Sequence, residues 1–158
     1  MSYNDYLSAM EQAKKCNRYR VAKGTTPEAI KESERLLKLS FSKQLQDFYS
    51  KYGYLSFFGT EIFGIYPDDL EDVLEGNSVA YALHERENYN LPDKWIPFYS
   101  FGDGSLACFD YEQLNDDAEP RVIRVIYDGH SYSVVECVAD DFGGFVLELV
   151  SQQLQRQV

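Results

Sequence analysis

The residues closest to a metal-binding pattern are His84-Glu85-Arg86-Glu87-Asn88. A His-Glu pair opens the zinc signature in which a second histidine, one helical turn on, completes the ligand set. Asn88 holds that place here, so half the anchor is missing and no zinc site is expected. His130, the only other histidine, falls in a stretch that reads as a solvated turn. Cys16, Cys108 and Cys137 have no spacing partners. Their odd number argues against a disulfide framework and for a reducing compartment. A cysteine–histidine nucleophile pair could form between distant positions, but no motif supports one. Gly102-Asp103-Gly104 lacks the Gly-x-x-x-x-Gly-Lys of a phosphate loop and joins two strands. Asp103, Asp110, Asp116 and Asp117 do not fit a calcium loop. Among 26 acidic residues nothing singles out one pair for acid–base work. The expectation is a binding protein, not an enzyme, with no catalytic residue, no metal and no cofactor.

Charge then suggests what is bound. The net charge is −11, unevenly spread. Residues 1–60 hold ten Lys and Arg against six acids. Residues 61–120 hold fifteen acids against Arg86 and Lys94 alone. Residues 121–158 hold five acids and three Arg. Nucleic-acid binding is not expected, because phosphate contacts need Lys and Arg. A concentrated acidic surface instead attracts basic partners and speeds encounter. Such acids also serve solubility alone, and that reading stays open. Thirteen Tyr, ten Phe and one Trp fit either a core rich in tyrosine at its edge or a contact surface. The start of the chain is polar, with no signal-peptide pattern, and no apolar run reaches membrane-spanning length. A cytoplasmic protein without membrane contact is expected.

These residues need elements to hold them. The length, 158 residues, suits one domain, which buries roughly 70% of its unfolded surface. Tyr3, Leu7, Met10 and Lys14 recur at helical spacing and predict a helix over 3–16. Residues 17–24 read as a basic connector. Thr26-Pro27-Glu28 predicts a capped start for a second helix, running to about Lys38. Ser42 predicts a cap for a third, with Leu45, Phe48, Tyr49 and Tyr52 on one face. Gly53 is expected to end it in the left-handed conformation. Short strands follow around 55–59 and 61–66. One or two helical turns are expected at 68–74, and a weaker helix at 77–88. Strands are expected at 95–101, 105–111, 121–127 and 133–138, with a tight two-residue turn at Asp103-Gly104. Asp140 or Asp141 should cap a last helix bearing Phe142, Phe145, Val146, Leu149 and Val150. The Gly143-Gly144 pair weakens its first turn. The fold class is therefore α+β: N-terminal helices, a mainly antiparallel sheet with helices packed against it, and a C-terminal helix.

Several of these segments form an ordered set. They are Ile30-x-x-x-Glu34-x-x-Leu37, Leu45-x-x-Phe48-Tyr49-x-x-Tyr52-Gly53 and Glu61-Ile62-Phe63-Gly64-Ile65. They continue with Leu91-Pro92-x-x-Trp95-Ile96-Pro97-Phe98, Gly102-Asp103-Gly104-x-x-x-Cys108-x-Asp110 and Phe142-x-x-Phe145-Val146. The set resembles the SUKH superfamily, the Smi/Knr-type domain, over residues 25–155, with residues 1–24 as an N-terminal helix and connector to the same single domain. Leu39-Ser40 stands where the family usually has Leu-Pro. The resemblance implies a bent antiparallel sheet with packed helices and no common catalytic residues. It also implies a bacterial immunity protein that neutralises a basic toxin domain, often a nuclease, by stoichiometric binding. A regulatory or scaffold module with an acidic face is the alternative, and an uncharacterised hydrolase a third. The expected contact residues are Asp68, Asp69, Glu71, Asp72 and Glu75, with Asp116, Asp117 and Glu119 from an acidic loop. Each could equally be a helix-start acid or a solvated loop charge.

Overall fold

The first helix, α1 (Ser2–Ala13), ends three residues short of the expected boundary. The Lys15 and Cys16 N–H groups still reach back three residues, to Gln12 and Ala13 carbonyls, tightening its exit. The computed structural model describes residues 2–65 and 77–156. The expected helical turns at 68–74 lie outside the described residues. The basic connector contains a short strand, β1 (Arg20–Lys23). α2 (Pro27–Leu37) starts as its sequence dictates: Thr26 Oγ1 accepts the Ala29 N–H at 3.1 Å, and Pro27 takes the first turn. α3 (Lys43–Lys51) is capped by Ser42.

Gly53 does not end α3. Tyr52 is the C-cap with φ −129, and the chain passes straight into β2 (Tyr52–Phe57). The reason is pairing. The Gly53 carbonyl accepts the Gly64 N–H at 3.0 Å, and β2 runs antiparallel to β3 (Thr60–Phe63). A Cβ on Gly64 would lie 2.5 Å from that carbonyl oxygen, so the crossing needs glycine there.

Next come α4 (Ser78–Tyr89), β4 (Trp95–Ser100), β5 (Ser105–Leu114), β6 (Pro120–Tyr127), β7 (Tyr132–Ala139) and α5 (Phe142–Arg156). The strands form two antiparallel sheets, β1-β2-β3 and β4-β5-β6-β7. The β4–β5 connection is wider than the expected two-residue turn. Gly102 and Gly104 carry the positive φ values, +83 and +94, while Asp103 does not. Asp103, exposed on the turn, accepts the Ser105 hydroxyl and N–H, and these bonds, with Arg124 adding to them, hold its pKa down to about 2.

Phe142, the first residue of α5, sits where the elements meet. Its ring lies 4.7 Å from Phe48 of α3, 5.5 Å from Phe109, 5.7 Å from Phe98 and 6.0 Å from Tyr6. Phe98 and Phe109 stack at 4.0 Å across the β4–β5 ladder. Burying one such ring stabilises by roughly 4 kcal/mol before entropy is counted. Much of the aromatic excess thus goes into the core: Tyr6, Tyr49, Phe48, Phe57, Phe98, Phe109 and Phe142 are all fully buried. Alternation along the strands sends a smaller set to a second cluster: Trp95, Cys108, Ile123 and Val125, with Leu91.

Candidate partner-binding site

Asp68, Asp69, Glu71, Asp72 and Glu75 lie outside the described residues. The other expected contact segment, the loop between β5 and β6, is held by a dense set of bonds. Asn115 organises it. Its N–H donates to the Glu119 carbonyl at 2.8 Å, and its carbonyl accepts the Ala118 N–H at 3.0 Å. Its Oδ1 accepts the N–H groups of Asp117 and Glu119, at 2.9 and 3.0 Å. Its Nδ2 donates to the Asp140 carbonyl at 3.0 Å, fixing the loop to the end of β7. Ala118 takes the left-handed conformation with φ +60, which the surrounding bonds hold in place.

The outcome divides the three expected acids. Asp116 and Asp117 are exposed, and neither takes part in an ion pair among the described residues. Glu119 is only 3% exposed and does not belong to the surface. Its carboxylate accepts the Gln44 N–H at 3.2 Å, a free backbone donor in the first turn of α3. Removal from water raises its pKa, against the lowering effect of its hydrogen bonds to Ser42 and Gln44. Glu119 is therefore corrected from contact residue to helix-terminus acceptor.

Gln44, which nothing in the sequence singles out, is the link between the loop and the helices. Fully buried, it accepts the Gly143 N–H at 2.9 Å and donates to Asp141 Oδ2 at 3.2 Å. Asp141 caps α5 by accepting the Gly144 N–H at 2.8 Å. The starts of α3 and α5 and the acidic loop are thus joined in one polar network. The sequence carries no signal for it, since Gln44 meets Gly143 and Asp141 about a hundred residues away.

The loop borders a hollow of about 510 Å³ lined in part by Lys38, Lys43, Lys94, Tyr111, Leu114 and Asp117. Leu114 is 49% exposed, an apolar point beside the free carboxylates. Three lysines face one carboxylate in this hollow, so its lining is basic and the acidic character belongs to the exposed tip of the loop, Asp116 and Asp117.

The residues weighed for chemistry stand apart from this loop. Cys108 is fully buried, and burial raises its thiol well above the ordinary range, with Asp110 adding to the effect. A neutral thiol is a poor nucleophile. His84 Nδ1 lies 3.0 Å from the neighbouring Glu85 carboxylate, which also accepts the Tyr132 hydroxyl. Trp95 is buried. Among the described residues no group of three potential metal ligands comes together, and no helix is long and apolar enough to cross a membrane.

Compared with known families, residues 27–146 match the family model SUKH_6, described as SMI1-KNR4 cell-wall. No curated protein matches the chain.

Proposed function

The chain belongs to the SUKH superfamily, since that match covers well over half its length, and from this premise we propose that it is a cytoplasmic binding protein of the immunity type. It neutralises a basic toxin domain, such as a nuclease, by covering it in a stoichiometric complex. The observation that carries this reading is the braced acidic loop: Asp116 and Asp117 stand free on a turn fixed at both ends by Asn115. Preorganised charge loses little freedom on binding, so more of its attraction remains as affinity and encounter rate. A nuclease needs a basic face for its substrate, and free carboxylates on a rigid support are suited to cover one. Asp68, Asp69, Glu71, Asp72 and Glu75 are proposed as further contact residues on their charge in the sequence alone.

The test is co-expression with any candidate toxin domain encoded beside this gene. Protection of the host cell and co-elution as a 1:1 complex are the expected results. Absence of both would overturn the reading. A tight complex with a neighbouring protein that is not toxic would favour the regulatory or scaffold role instead.

A further inference from the structure

The four-stranded sheet ends on β7, with no strand beside its outer edge among the described residues. Open edges are templates for another strand, and proteins blunt them with short length and charge. β1, the outer strand of the other sheet, shows both devices: four residues, with Arg20 and Lys23. β7 has eight residues, one charge (Glu136) and no proline. Val134 and Val135 are 48% and 52% exposed. The register with β6 skips Val135 and Val138, so β7 carries two bulges. A bulge re-aims side chains and leaves the extra residue outside the ladder, and here it turns two successive valines toward solvent.

Along the chain between Arg124 and Arg156 the charge has one sign, although the paired strand β6 sets Arg124 opposite Glu136. No Lys or Arg occurs between Arg124 and Arg156, while Asp128, Glu136, Asp140, Asp141 and Glu148 do. Asp128 lies in the turn before β7, and Asp140 directly follows it. Asp140 pairs with Arg121, but it also meets Asn115, which brings the Asp116–Asp117 loop to that end of the strand. The strand, with Glu136 as its one charge, thus runs from Asp128 to the Arg121-paired Asp140, its eight residues spanning roughly 26 Å.

We propose that β7 docks an extended segment of the partner protein, with an apolar centre flanked by lysine or arginine. This deepens the binding reading above and rests on it. A second copy of this chain fits less well. Antiparallel pairing of two β7 strands would set Asp128 of each against Asp140 of the other, between molecules of net charge −11.

A fluorescein-labelled peptide, Lys-Lys-Thr-Val-Thr-Val-Thr-Lys-Lys, supplies the probe, and the same core with Glu flanks supplies the control. The full chain is expected to bind the basic peptide and not the acidic one. Amide exchange in β7 should slow on binding. The double variant V134S/V135S changes only exposed side chains and is checked by circular dichroism; it should bind the basic peptide about tenfold more weakly or worse. Equal affinity for the variant, equal binding of both peptides, or unchanged exchange in β7 would overturn the proposal. So would a concentration-dependent dimer abolished by V134S/V135S. If the variant still neutralises the toxin as the wild type does, the β7 assignment falls and the immunity reading stands. If the wild type binds no basic toxin, the immunity reading itself falls.

Discussion

Two effects act on the Glu119 carboxyl in opposite directions. Burial disfavours its charge, while the Gln44 N–H favours it. Burial is the larger, so the folded pKa lies above the ordinary value of 4.5. A carboxyl with a raised folded pKa binds its proton more readily in the native state. Its contribution to stability is complete below about pH 4.5 and is lost as pH rises through the folded value. Glu119→Gln keeps an acceptor for Gln44 and removes the titration, so it should flatten the fall in stability above pH 4.5. Glu119→Ala leaves a buried N–H unpaired and should cost about 1–3 kcal/mol. Urea unfolding of both variants across that pH range measures the difference; a parallel pH profile for Glu119→Gln would contradict the account. Asp116→Asn with Asp117→Asn should behave oppositely, with stability within about 0.5 kcal/mol of wild type and a slower association with the toxin. Stopped-flow mixing reads that rate. The sequence placed all three acids in one loop. It could not show that Glu119 turns inward, because the cause is Gln44, 75 residues away.

At the scale of elements, α1 rests on α5 at a contact that admits no side chain. A Cβ on Gly143 would lie 2.7 Å from the Tyr6 Cα and 2.8 Å from its Cβ. Alanine favours a helix over glycine by up to ~1 kcal/mol, yet the clash with backbone is the larger effect. Gly143→Ala should therefore destabilise by about 2 kcal/mol, read as a lowered denaturation midpoint. A neutral or stabilised variant would show that α1 does not pack as described. The Gly-Gly pair read in sequence as a weak helix start; its first member is the place where another helix passes. The helices α2, α3 and α5 were legible because caps and apolar periodicity act locally. β1 was not, since its pairing with β2 joins residues such as Arg20 and Ser56, and nothing in residues 17–24 alternates. Gly53 misled for the same reason: the strand ladder it joins is set by Gly64, eleven residues on.

For the whole molecule, the polar network around Gln44 ties the acidic loop to the aromatic core through the starts of α3 and α5. The loop is thus supported by the most buried part of the fold, which gives a rigid display of charge. The chain carries its net −11 with free carboxylates at Asp116 and Asp117 and an apolar strand edge leading away from them. Such a surface attracts a cationic protein over about one Debye length, near 8 Å at physiological salt. The most direct measurement is the association rate of this chain with a candidate toxin domain, taken from low to high ionic strength. A 1:1 complex should form whose rate falls about tenfold or more as salt rises, while dissociation changes little. A rate independent of salt, or no complex at all, would contradict the account.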